Sequence, residues 1–269
     1  SSSDVYVCSS VQDAQVRVAE ILGRTSPWGE MPSFVLVEEY LEGPEYALNV
    51  FTADGTSAVT DAWLYDREET KAGLVLYRSI RSVDPSSLPE ACGYALDVAK
   101  AVGITMEAAH VELKLTKRGP TMVEVGARRP GGLKTEMLTR MISDWDPCGA
   151  QVRAACGLPV SFPQHFTPEV HARHVFFHFT QSGILEAISG VAEVQALATV
   201  DTFKLMASVG DFVQRTTDIV SSAAFLWLVS DDAHQLDMDE KAARTLLQFT
   251  VVDHATDASH LCGEKPGGA

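Results

Sequence analysis

The stretch HVELKLTKRGPTMVEVGARRPGG, His110 to Gly132, sets two acids, Glu112 and Glu124, inside otherwise apolar alternations. Val111, Leu113 and Leu115 alternate with Glu112 and Lys114, and Val123 and Val125 alternate with Met122 and Glu124. That period of two predicts a pair of half-buried strands, and Gly119-Pro120 makes the segment between them a turn. With the turn centred on Arg118, antiparallel pairing places Glu112 opposite Glu124 on the face away from the valines, with Cβ atoms roughly 5 Å apart. Arg128 shares their parity. Like charges opposed across a ladder are destabilising unless a cation lies between them, and hard carboxylate oxygens at that separation suit Mg²⁺ or Mn²⁺. The same pattern also reads as the solvated outer face of a surface hairpin, with Lys114 and Arg128 neutralising the acids. On these residues alone both readings stand.

Composition narrows the field around that hairpin. A chain of 269 residues, 46% hydrophobic, is long enough for one large domain or two ordinary ones with a substantial core. No window approaches the roughly 18 consecutive apolar residues of a membrane span, and SSSDVYVCSS lacks the basic and apolar regions of a signal peptide, so a cytoplasmic location is expected. A net charge of −15 opposes nucleic acid and anionic membranes as partners, since a phosphate backbone is held by concentrated Lys and Arg. The five cysteines have no C-x-x-C spacing, which speaks against a disulfide framework or a structural zinc site.

Outward from the hairpin, VYVC at 5–8 reads as a short strand. VQDAQVRVAEILGR reads as a helix capped by Ser10 and closed by Gly23. FVLVEEYL, 34–41, begins as the continuous apolar run of a central strand buried on both faces. Asp54-Gly55 predicts a hairpin within GPEYALNVFTADGTSAVTDAWLYD, and Pro85 to Val102 a helix closed by Gly103. LKTEMLTRMISDW and CGAQVRAACGL are helical in period, and three prolines between Pro159 and Pro168 mark a boundary. Beyond it, ARHVFFHF, VQALATVDTFKLM and SAAFLWLVS read as strand regions and GILEAISG as a turn with a short element. DMDEKAARTLLQF reads as a helix with its acids in the first turn, and 254–269 as a disordered tail. The mixture predicts an α+β fold with an antiparallel sheet core. The absence of G-x-G-x-x-G after a strand and of a Walker A sequence argues against Rossmann and P-loop nucleotide binding.

VLVEEYLEGPEYALNV, AAHVELKL and MVEVGARRPGG, in this order, resemble the ATP-grasp superfamily over roughly residues 1 to 250, in particular its carboxylate-amine ligases such as L-amino acid ligases and carnosine-synthase-like enzymes. Biotin carboxylase is a more distant relative. The segment from ARHVFFHF through SGILEAISG to VGDFVQRTTD is similar to the subdomain that follows the catalytic core in this group. The resemblance implies a partial ATP-grasp fold, with 1–41 the remainder of a lid subdomain, 42–158 the core with the metal and ATP site, and 159–253 a C-terminal accessory subdomain.

The resemblance also implies roles. Glu38, Glu39 and Leu41, in the Glu38–Leu41 hinge, would meet the adenine edge through their backbone, and Glu45 would hold the ribose hydroxyls. Glu112 and Glu124 would bridge Mg²⁺ (or Mn²⁺) to the phosphates of ATP. Arg128 would stabilise charge on an acyl phosphate and on the tetrahedral intermediate, and Gly131 and Gly132 would allow a close approach of backbone to a carboxylate or phosphate. The implied partners are ATP, a small carboxylic acid and an amine or amino acid; the implied product is an amide. Glycine at position 126 departs from relatives that carry a metal-binding Asn there. Members of the family also have an N-terminal domain and a lid strand with a phosphate-binding Lys; SSSDVYVC resembles only the end of the lid loop that follows, with Asp4 where a Gly is usual, so the chain reads as lacking that first half. A non-catalytic remnant that binds nucleotide or a protein partner, and a biotin-carboxylase-like subunit, are the alternatives.

His110 reads as a hydrogen-bonded structural residue more readily than as a substrate contact. His171, His174 and His178 invite a metal reading, but no carboxylate nearby completes the set, and the region belongs to the accessory subdomain that the resemblance implies. Lys71, Arg78 and Arg81, placed on a loop after WLYDR, read equally as phosphate or substrate contacts and as a solvated charge cluster.

Overall fold

A computed structural model describes residues 4–25, 29, 31–70, 74–131, 135–143, 145–163 and 165–253. The chain runs α1 (Val11–Leu22), β1 (Glu45–Ala53), β2 (Thr56–Glu69), β3 (Val75–Val83), α2 (Pro89–Ala101), β4 (Ala108–Thr116), β5 (Gly119–Gly126), α3 (Thr135–Met141) and α4 (Pro147–Ala155). It continues as β6 (His171–Phe177), β7 (Gly183–Ser189), α5 (Val191–Gln195), β8 (Val200–Leu205), β9 (Phe212–Val213), β10 (Ala224–Ser230), α6 (Ala233–Leu246) and β11 (Gln248–Val252). Eight strands form one antiparallel sheet in the order β5-β4-β1-β2-β3-β6-β10-β8, and β11-β7-β9 form a second. The fold is α+β. Strands from both sides of the proline-rich boundary share the large sheet.

The β1–β2 hairpin turns where the Asp-Gly pair predicts: Asp54 and Gly55 both take positive φ, 50° and 75°, as a tight two-residue turn requires. The period of two then sorts the strands. Leu48, Val50, Ala62, Val111 and Leu113 face one side, where α2 presents Ala91, Ala95 and Ala99, one residue per turn. Ala47, Phe51 and Trp63 face the other, under Met137, Met141 and Trp145. A third cluster joins Val175, Leu226 and Leu228 to Leu236 and Ala243 of α6.

Several elements differ from their sequence reading. Residues 31–44 form no strand, and Phe34, Leu36 and Val37 are exposed, because the apolar run has no ladder partner among the described residues. VYVC contributes only an isolated bridge, Tyr6 to Leu74. GILEAISG is the strand β7, paired with β11, and VQALATVDTFKLM divides into α5 and β8. The last helix starts at Ala233 under an Asp232 cap, so the acids of DMDEK lie inside it and not in its first turn. Arg78 and Arg81 stand on β3, not on a loop. Lys71, Gly132 and the tail 254–269 lie outside the described residues.

Candidate active site

Glu112 and Glu124 are paired across β4 and β5. The expected opposition is present, but its origin differs. The turn is the two residues Lys117-Arg118, with Thr116 opposite Gly119, and that register alone would set Glu112 against Val123. A bulge at Val123 shifts the ladder by one residue, as bulges do, and carries Glu124 to the face of Glu112. Glu112 is largely covered, with 18% of its side chain exposed, and Glu124 is exposed.

The surroundings of Glu112 come from β1, β2 and β4. Its Oε1 accepts a hydrogen bond from Tyr65 Oη at 3.1 Å and lies 3.1 Å from His110 Nε2. Burial pushes the Glu112 carboxyl up, but the hydrogen bonds from His110 and Tyr65 and the charges of His110 and Arg67 outweigh it and leave the group below its ordinary range. Tyr77 stands edge-on to Tyr65 at 5.3 Å, and burial, with the charge of Glu112 second, pushes its hydroxyl up to about 12. Both acids bear on both tyrosines.

Behind His110 a buried polar chain continues. His110 Nδ1 stands 2.7 Å from Asn49 Oδ1, and Asn49 Nδ2 donates to Asp61 Oδ1. Asp61 also accepts from Trp63 Nε1 at 2.6 Å and from Thr60 Oγ1 at 2.7 Å. Burial raises the Asp61 carboxyl against these three hydrogen bonds.

Glu45 is buried and its Oε2 is bound by Arg67, with Lys114 Nζ at 3.8 Å. Its Oε1 has no hydrogen-bond partner among the described residues. The Glu38–Leu41 segment crosses the end of β4: Lys114 Nζ donates to the Leu41 carbonyl at 2.8 Å and lies 4.7 Å from the Tyr40 ring, and Arg118 pairs with Glu39 at 2.9 Å. Gly43, at φ 130°, is needed there, because a Cβ would collide with the Leu115 carbonyl. Asp4 takes φ 63°, the conformation a glycine favours, and its carboxylate is paired with Arg24.

Arg128 is exposed just past β5, its Nη1 donating to the Arg129 carbonyl at 3.0 Å. Its side chain lies over Gly126, with Cγ, Nε and Cζ 3.5–3.6 Å from where a Cβ would stand. A Cβ at 126 would rest in ordinary van der Waals contact with that side chain. Gly131 is exposed with open space on its Cβ side.

The structure thus pairs Glu112 with Glu124 within the hairpin, sets Arg128 past its open end over Gly126, and lays the Glu38–Leu41 segment near its turn end, at Lys114 and Arg118. Paired carboxylates supply the hard oxygens a divalent ion takes, and Glu112 keeps Oε2 outside the bonds that hold Oε1. Among the described residues no set of three His, Cys, Asp or Glu could hold a metal, so these two acids fit an ion that takes its other oxygens from phosphate or water. His174 stands on β6, four strands from β4 in the sheet order, and stacks on Trp227 at 3.8 Å. Arg81 pairs with Leu64 on the opposite face, where with Arg78, Arg173, Asp237 and Glu240 it lines a cavity of about 520 Å³.

Tyr65, Tyr77, Arg67, Asn49 and Asp61 were not singled out from sequence. The Asp-Gly turn alone, with Ala53 opposite Thr56, would set Glu45 against Leu64; a bulge at Thr60 sets it against Tyr65. Parity along Asp61, Trp63 and Tyr65 was the available signal, and the bulge hid which face it marked.

The ATP-grasp domain model matches residues 1–137, and the model for L-amino acid ligase C-terminal domain 2 matches 175–252. The chain belongs to the ATP-grasp family. It is 23% identical over 239 residues to dapdiamide A synthase of Enterobacter agglomerans, covering 85% of this chain and 55% of that protein. Among solved structures, the L-amino acid ligase from Bacillus licheniformis superposes with a TM-score of 0.69 at 18% identity, over 80% of this chain and 53% of that one. The phosphoribosylglycinamide synthetase from Anaerococcus prevotii gives 0.64 at 12% identity, over 80% and 55%. The chain spans about half the length of the curated relatives it matches. Among the described residues no helix is long and apolar enough to cross a membrane.

Proposed function

We propose that this chain carries the metal- and ATP-binding part of a ligase that joins a small carboxylic acid to an amine or amino acid. The observation that carries the reading is the register of Glu112 and Glu124, opposed on one face of the β4–β5 hairpin. The similarity to dapdiamide A synthase and the L-amino acid ligase C-terminal domain supports amide formation as the reaction type. In that reaction the γ-phosphoryl group of ATP passes to a carboxylate, and an amine displaces phosphate from the acyl phosphate. Positioning and charge stabilisation dominate such chemistry, which suits a site built of acids and a guanidinium and lacking an activated nucleophile.

Glu112 and Glu124 hold the ion, Mg²⁺ or Mn²⁺. When bound, the ion neutralises phosphate charge. Tyr65 and His110 fix Oε1 of Glu112, and Arg128, exposed and with no ion pair to an acid among the described residues, stabilises the charge that grows on the acyl phosphate. Glu38, Glu39 and Leu41 offer backbone groups to the adenine edge. Glu45 offers the ribose hydroxyls the Oε1 that Arg67 leaves free.

The test is Mg²⁺-dependent thermal stabilisation by ATP in the intact protein, which arises when ligand binds the folded state alone. Glu112→Gln and Glu124→Gln should each abolish the shift, whereas Arg128→Ala should keep it and lower kcat for amide formation about 100- to 1,000-fold. Absence of a shift in the parent protein overturns the reading.

A further inference from the structure

We propose that Asp61 and Asn49 are positioning residues for Glu112: acting through His110, they fix the orientation of its carboxylate from the interior of the sheet. This rests on the reading of Glu112 as a metal ligand.

The polarity of the chain is determined from Asp61 as far as His110 Nδ1. Asp61 is 2% exposed and accepts from three donors, Trp63 Nε1, Thr60 Oγ1 and Asn49 Nδ2. A carboxylate there takes the amide NH₂ of Asn49, so the amide oxygen is turned to His110. His110 Nδ1, 2.7 Å from that oxygen, must then carry a proton. The ring's other nitrogen stands 3.1 Å from Glu112 Oε1 and 3.4 Å from Tyr65 Oη, whose hydroxyl donates to that same carboxylate oxygen. The bulge at Thr60 makes this possible, since it sets Asp61 opposite Asn49, while β4 sets His110 opposite Asn49 on the other side.

Cost points the same way. Burying an acid is expensive unless its partners compensate, and the neighbours on this face, Ala47, Trp63 and Phe51, show that apolar residues fit the layer. No ion pair to Asp61 occurs among the described residues, so the chain does not end on a cation. It ends on Glu112. Outer partners that orient metal ligands are worth about 10- to 100-fold in metal affinity, and Asn49 and Asp61 stand in that relation to Glu112.

The experiment measures the Mn²⁺ dissociation constant by electron paramagnetic resonance, on the intact protein with a non-hydrolysable ATP analogue. Asn49→Leu, which keeps the branched shape and removes both hydrogen bonds, should weaken Mn²⁺ binding about 10- to 100-fold, and Asn49→Ala, a smaller side chain, should do the same. Asp61→Asn keeps an oxygen for Asn49 and Trp63 and turns its NH₂ to Thr60, so it should retain near-parental affinity. Leu226→Ala, a cavity in the C-terminal core, should lower Tm without moving the constant.

Parental affinity in folded Asn49→Leu or Asn49→Ala, alongside loss in Glu112→Gln, overturns the positioning role and leaves the metal reading standing. So does a loss in Leu226→Ala equal to theirs. Parental affinity in Glu112→Gln overturns the metal reading and this inference with it.

Discussion

Leu113 is fully buried in the β4–β5 hairpin, whereas Phe34 and Leu36, in an equally apolar segment, are 80% and 72% exposed. Both segments carry the marks of a strand. The hairpin closes on itself within nineteen residues, Ala108 to Gly126, and β1 pairs along its other edge. The 31–44 segment has no partner strand among the described residues, and it is tied to the hairpin by Lys114 and Arg118 at Leu41 and Glu39 and by the Leu115 N–H donating to the Pro44 carbonyl at 3.0 Å. Apolar periodicity states which residues can be covered. Coverage itself needs a partner.

The contrast can be broken most forcefully at Leu113. Leu113→Ala should cost about 2–5 kcal/mol in chemical denaturation, because the side chain fills a closed layer against α2. A cost near zero would mean that the hairpin is no better packed than the segment. Lys114→Met removes the charged donor to the Leu41 carbonyl and should cost about 1–3 kcal/mol, and hydrogen exchange should rise across 38–41 and not in β4. A uniform rise would show that segment and hairpin are one cooperative unit.

A smaller effect concerns polar residues inside a ladder. Asp61 titrates above its ordinary value in the fold, so its contribution to stability is complete below the unfolded-state carboxyl pKa and is lost as pH rises through the folded-state value. The stability of the parent relative to Asp61→Asn should therefore fall as pH rises across that window. The opposite slope would show that the hydrogen bonds from Thr60, Asn49 and Trp63 outweigh burial. Smallest is Leu36→Ser, expected within about 0.5 kcal/mol of the parent at so exposed a position. A larger loss would show that the segment is covered in solution.

Much of the fold was legible where structure is local. Ser10 caps α1 by accepting from Asp13 N, Asp54-Gly55 makes its turn, and α2 ends before Gly103 at φ 80°. The C-terminal region was harder: β7 pairs with β11 across some sixty residues, and nothing in GILEAISG names that partner. The last helix was placed too late because Asp232, not the acids of DMDEK, satisfies its first backbone amide.

At the candidate site, sequence by itself determined the pair of acids: Glu112 and Glu124 lie within one hairpin, with Arg128 just past it, and a period of two is a property of the extended backbone. Only tertiary structure decided what surrounds them. Bulges at Val123 and Thr60 set which face each acid, tyrosine and amide occupies, and one inserted residue inverts that face for everything beyond it. The chain from Asp61 to Glu112 spans three strands contributed by segments up to 61 residues apart, and their meeting is fixed by sheet order, which no local pattern encodes.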